Sequence, residues 1–128
     1  MTINGIIDIV DEQKPNGYSE GLKKQWLDQL DRMAFREIVA THEGGAEAFD
    51  GYTEETDGET ELLIPDDYKM VYVYWLYAMI DFANQEMTRY TNSMIMFNCA
   101  YADYGNAWNR THMPKGETIR GAAWRVIK

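Results

Sequence analysis

One apolar seam dominates the chain: Leu76, Ile80, Ala83, Met87, Tyr90, Met94, Phe97, Tyr101, Tyr104 and Trp108. The gaps alternate four and three without a slip, a spacing that keeps one face of an α-helix apolar over many turns. Neither proline nor glycine falls between Pro65 and Gly105. The pattern predicts one long helix from about 66 to about 110, roughly 65 Å at ~1.5 Å per residue. A break near Asn84-Gln85 would give an antiparallel hairpin instead, but a break has no reason to keep the seam in phase. A domain of this size has a radius of gyration of only ~14 Å. Such a rod must bend, break or run past its own core, and a seam that runs past needs another subunit to cover it. Tyr74, Tyr77, Met94, Phe97, Tyr101, Tyr104 and Trp108 are the candidate subunit-interface residues.

Shorter patterns precede the seam. Ile3, Ile6, Ile7 and Val10 have helical spacing, with Thr2 as N-cap. Lys14-Pro15-Asn16-Gly17 reads as a turn, after which Ser19 caps a second helix. That helix runs to about Glu43, with Trp26, Leu27, Leu30, Met33, Ala34, Ile38 and Thr41 on its apolar face. Residues 46–64 form a loop or a hairpin flap turning at Asp57-Gly58. Pro65 suits the start of the long helix, and Asp66 and Asp67 suit its first turn. From Tyr68 to Ile80 the chain is apolar nearly all round, which implies burial on several faces. The expected fold is therefore all-α: a small helical bundle over 1–114, followed by an extended tail over 115–128.

Charge sharpens this picture. The 128 residues carry a net charge of -9, and ten acids with no lysine or arginine lie between His42 and Asp67. Glu54, Glu55, Asp57, Glu59 and Glu61 are the candidate acidic, partner-facing residues of the flap. The tail is net positive, with Ile119, Arg120, Trp124, Arg125, Val126 and Ile127 as a candidate docking arm. An acidic main body excludes gripping nucleic acid through phosphates. The longest apolar run, Met70 to Ile80, is too short for a bilayer, so no membrane role is expected.

Candidate chemistry is sparse. No glycine-rich phosphate loop and no metal-ligand spacing is present, so neither enzyme activity nor a cofactor is expected. His42 and His112 fall at helix C-termini, where histidine engages unpaired carbonyls. Cys99, the only cysteine, is expected to be a small buried or half-buried side chain.

The chain resembles a known family through two groups of residues. The first is Lys14-Pro15-Asn16, Trp26-Leu27-x-x-Leu30-Asp31 and Ile64-Pro65-Asp66-Asp67-Tyr68. The second is Tyr90-x-Asn92-Ser93-Met94-x-x-Phe97-Asn98-x-Ala100-Tyr101, closing with Asn109-Arg110-Thr111-His112-Met113-Pro114. Together they resemble the head–tail connector (adaptor) proteins of tailed phages, prophage type. The resemblance implies a mostly helical virion protein of the neck, assembled in the host cytoplasm. It implies a homo-oligomeric ring, a dodecamer on its template, that sits beneath the portal protein, extends its DNA channel and receives the next neck or tail protein. An acidic flap around such a channel would let DNA pass without sticking. The competing expectation is a small acidic phage regulator, or DNA mimic, that binds a basic host protein.

Overall fold

A computed structural model describes residues 1–41 and 48–113. Four α-helices form a small bundle: α1 (Ile3–Gln13), α2 (Glu20–Ala34), α3 (Met70–Ala83) and α4 (Met87–Thr111). Among the described residues there is no strand, only an isolated antiparallel bridge between Thr2 and Glu61. The all-α expectation holds.

Both expected caps form. The Thr2 Oγ1 accepts from the Gly5 N–H at 3.0 Å, and the Ser19 Oγ accepts from the Leu22 N–H at 3.1 Å. Each satisfies one amide that a helix start leaves unpaired. Ile3, Ile6, Ile7 and Val10 are all buried, as their spacing requires. Helix α2 continues into one π-helical stretch, Phe35–Val39, closed by the Ala40 N–H on the Phe35 carbonyl.

The long rod does not form. It is two helices, α3 and α4, folded back on one another through Asn84, Gln85 and Glu86. The turn is a Schellman cap. The Glu86 N–H reaches back to the Asp81 carbonyl, and the Gln85 N–H to the Phe82 carbonyl. Gln85 takes the left-handed conformation, φ 62°. This cap usually carries glycine, and here glutamine fills the position, so no breaker marked it in the sequence. The unslipped seam is equally compatible with folding back. Leu76 and Ile80 on α3 and Phe97 and Tyr104 on α4 are all buried in one core, and α3 meets α4 through Trp75 against Phe97 and Phe82 against Tyr90. Each helix needs its own inward stripe, so an unslipped seam does not by itself tell a rod from a hairpin.

Helix α3 is the centre of the bundle. It packs on α1, α2 and α4, which explains why its sequence is apolar on nearly every face. Val71, Tyr72, Val73, Leu76 and Ala78 are completely buried. Each large apolar side chain so buried contributes ~1.5–3 kcal/mol relative to exposure. Helix α4, by contrast, touches only α3 and the π-helical stretch extensively. Its other side is open.

Residues 48–65 form an irregular loop rather than a paired hairpin. The Asp57-Gly58 turn is present, with the Thr60 N–H on the Asp57 carbonyl at 3.0 Å. Instead of pairing with each other, its arms dock on α1. The Ile3 and Asn4 amides donate to the Thr60 and Gly58 carbonyls.

Candidate interaction surface

Two buried carboxylates organise the molecule; Asp31 entered the sequence analysis only as part of a family motif, and Asp81 not at all. Asp31 is completely buried on α2. It accepts from the Tyr52 hydroxyl at 2.5 Å, the Tyr72 hydroxyl at 2.8 Å and the Leu63 N–H at 3.1 Å. The Tyr72 hydroxyl in turn accepts from the Ile64 N–H at 2.7 Å. Burial pushes the Asp31 carboxyl above its usual value, against the pull of these donors. Burial and the adjacent carboxylate push both tyrosines up, so they remain donors at neutral pH. The network fastens the 48–65 loop to the bundle. Its signal in the sequence was a charge at position 31, four residues on from Leu27 and inside an apolar stripe.

Asp81 is the only charged residue of α3 and is also completely buried. It accepts from the Lys14 ammonium at 2.6 Å and from the Ser93 hydroxyl at 2.9 Å. The Lys14 ammonium also lies 5.4 Å from the centre of the Tyr77 ring. Asp81 therefore joins the turn after α1, the centre of the bundle and α4.

The seven candidate interface residues fall into two groups. Phe97 and Tyr104 are 3% and 2% exposed, covered by their own chain. Phe97 meets Trp75 with ring centres 5.1 Å apart, and Tyr104 meets Tyr68 at 5.5 Å. They offer nothing to a neighbour, because the folded-back α3 supplies the cover that a rod would have needed from outside. Tyr74, Tyr77, Met94, Tyr101 and Trp108 are half-buried at the margins of the core. Tyr77 donates to the Gln13 side chain and Tyr101 to Glu37 at 3.0 Å.

The five carboxylates of the acidic segment, Glu54, Glu55, Asp57, Glu59 and Glu61, are all exposed. The Lys24 ammonium holds the segment through the Thr56 carbonyl at 2.8 Å and leaves these side chains outward. The arm residues Ile119, Arg120, Trp124, Arg125, Val126 and Ile127 lie outside the described residues, as does His42. His112 behaves as a helix-end residue, with its Nδ1 3.1 Å from the Trp108 carbonyl oxygen and its ring stacked on Trp108.

A pocket of about 260 Å³ lies between Pro65, Tyr68, Tyr104, Trp108, Thr111 and His112. The Tyr104 hydroxyl and the Trp108 indole N–H are buried without a hydrogen-bond partner among the described residues. Burial raises the Tyr104 hydroxyl to about 12, so it keeps its proton at neutral pH.

The least expected surface is the outer side of α4. From Tyr90 to Ala102 the chain carries no charged residue. The residues of this stretch that face solvent include Ile95, 55% exposed, and Met96, 47% exposed. Cys99 is exposed, which corrects the expectation that it is buried or half-buried. The reason is position: Ile95, Cys99 and Ala102 follow i, i+4, i+7 spacing, opposite the inward-facing Phe97 and Tyr104. Phe82 and Met87, 56% and 49% exposed, continue the apolar character at the α3–α4 turn.

The fold and surface define a small all-α bundle, acidic on one loop and without charge over residues 90–102 of α4. No described helix is long and apolar enough to cross a membrane, and no described group of His, Cys, Asp or Glu could hold a metal ion. No protein-family model matches the chain, and neither a curated protein nor a solved structure matches it.

Proposed function

We propose that this chain is a structural virion protein that forms an oligomeric ring at the head–tail junction and extends the portal's DNA channel. The observation that carries the reading is the separation of two surfaces on one small subunit. The charged side chains of the fastened acidic loop are all carboxylates, and α4 exposes the uncharged Ile95, Met96, Cys99 and Ala102. A ring subunit over a DNA channel needs both: a surface that repels phosphate and a surface that can meet a neighbour. The resemblance of the Tyr90–Pro114 motif to connector proteins supports the same reading, since most of that motif is α4. In this proposal the acidic segment 46–64 faces the channel or a partner. The tail 115–128 docks on the portal or on the next neck or tail protein.

The alternative, a DNA mimic, needs carboxylates spread along a face like a phosphate track. Here five exposed acids crowd one loop between Glu54 and Glu61, and the others, among them Asp8, Glu20, Glu37 and Asp103, are spread over separate elements. Electron microscopy of the full chain, alone and mixed with portal and neck components, tests the proposal. Rings with an axial channel, or a connector layer on the portal, are the expected result. Particles with neither, together with capture of a basic host protein, would overturn it.

A further inference from the structure

We infer that the groove at the open end of the α3–α4 hairpin seats this chain's own residues 115–128, with Trp124 as the anchor, while the subunit is free. The inference goes beyond the ring reading, because it concerns a single subunit and holds for any role of the chain.

The groove lies between the start of α3 and the last turns of α4, away from the turn at 84–86. Half-buried Tyr68 divides it into two recesses. One, of about 260 Å³, opens against Pro65, Trp108, Thr111 and His112. The other, of about 160 Å³, opens against Asp67, Met70, Ala100 and Asp103. The first is aromatic, with Tyr68, Trp108 and His112 each half-buried. The second carries two exposed carboxylates, Asp67 and Asp103. Lys69 and Arg110, the sequence neighbours of Tyr68 and Thr111, line neither recess.

Chemistry, charge and position select the occupant. An aromatic recess beside two carboxylates suits an aromatic side chain flanked by cations, which ring faces also attract. Residues 115–128 hold that combination: Trp124 next to Arg125, with Lys115, Arg120 and Lys128 against one acid, Glu117. The rest of the chain is therefore more negative than the total of -9 and attracts this segment. The recess beside Glu54 and Glu55 is acidic too, but its Tyr52 is 6% exposed and offers no open ring. The described chain runs to Met113, and His112 is itself part of the groove wall. Trp124 lies eleven residues beyond Met113, up to ~36 Å of extended chain, ample for a return to the recess.

Tethering favours the chain's own segment over a neighbour's. One aromatic anchor with exposed ion pairs binds weakly, with a dissociation constant on the order of 1 mM. A short tether supplies an effective concentration of about 1 mM or more, so the seat is filled about half the time or more. A neighbour's segment at ~10 µM fills it about 1% of the time. A segment that docks on a larger partner then leaves its own seat to do so.

Nuclear Overhauser contacts in the full chain are the test. We expect contacts between the Trp124 ring and the rings of Tyr68 and Trp108. An equal mixture of isotope-labelled and unlabelled chains should lack them in the spectrum filtered for interchain contacts. Salt at about 0.5 M, or Asp67→Asn together with Asp103→Asn, should weaken the contacts about twofold or more. Both aspartates are exposed, so the helical signal should persist in that variant. Three results would each overturn the inference: no contact of Trp124 with either ring, contacts that arise only between chains, or contacts indifferent to both salt and the double substitution. The unsubstituted chain decides the matter even if the variant folds poorly. Rings from a chain whose free subunit lacks the Trp124 contact would keep the proposed function and remove this inference. The contact in a chain that builds no ring would do the reverse.

Discussion

Removing one oxygen atom, in Tyr72→Phe, should cost this protein a large share of its stability. The Tyr72 hydroxyl donates to Asp31 at 2.8 Å and accepts from the Ile64 N–H at 2.7 Å, all within the interior. A hydrogen bond to a charged group contributes about 1.5–3 kcal/mol, and an orphaned buried amide costs about 1–3 kcal/mol. Asp31 keeps the Tyr52 hydroxyl and the Leu63 N–H, so the sum is partly offset. A loss of about 2–4 kcal/mol at pH 7 follows, from a total that for such domains is ~5–15 kcal/mol. At about 4 °C per kcal/mol for this size, the melting temperature should fall by roughly 8–16 °C.

The effect should depend on pH. The folded pKa of Asp31 lies above its unfolded value of 3.8. Below that value the carboxyl is protonated in both states, and its burial costs least. As pH rises through the folded pKa, native stability falls, because the buried group must carry charge or keep a proton that the unfolded chain releases. The Tyr72 hydroxyl limits that fall by favouring the charged form. Its removal should therefore cost more at pH 7 than at pH 4. Urea unfolding of parent and variant at both pH values is the assay, with Tyr77→Phe as a control at the margin of the core. A loss below about 0.5 kcal/mol, within the range of ordinary surface substitutions, or an equal loss at both pH values, would refute the reasoning.

Lys14→Met leaves Asp81 buried with only the Ser93 hydroxyl. It should destabilise by about 2–4 kcal/mol in urea unfolding, short of a fully enclosed pair because Lys14 is partly exposed. Gln85→Gly relieves a left-handed residue and should raise the melting temperature, a gain of up to about 1 kcal/mol. In a continuous helix the same change would cost about 1 kcal/mol, so its sign tells the hairpin from the rod. Tyr104→Phe removes a hydroxyl that has no partner and should be neutral or stabilising by up to about 1 kcal/mol in thermal unfolding. A clear loss would mean that the hydroxyl is engaged in solution.

The helices were legible because their signals are local. Thr2 and Ser19 cap as their residue types predict, and the four apolar positions of α1 are all buried. The all-round apolar character of Tyr68 to Ile80 correctly signalled burial on several faces, and α3 is the central helix. The hairpin, with its break at Asn84-Gln85, stood only as the alternative to a rod for two reasons. Its left-handed cap is Gln85 rather than glycine, and a four–three seam is the same whether two stripes lie end to end or face to face. The fastening carboxylates are non-local: Asp31 meets Tyr72 41 residues away, and no spacing rule links them. The uncharged stretch of α4 could have been read from the absence of charge between Tyr90 and Ala102. Which side faced outward depended on where α3 came to lie.

Most of the bonds that hold α1 reach far along the chain, the Lys23 ammonium on Asp11 being the near one. Lys14 waits for Asp81, 67 residues later, and the amides of Ile3 and Asn4 wait for the carbonyls of Thr60 and Gly58. On the ribosome the first segment therefore emerges before most of its partners, and its packing is completed late. Helix α4 is synthesised last of the four and has α3 as its main support. Its outward side exists only once translation has passed through it, so an unfinished chain lacks that surface.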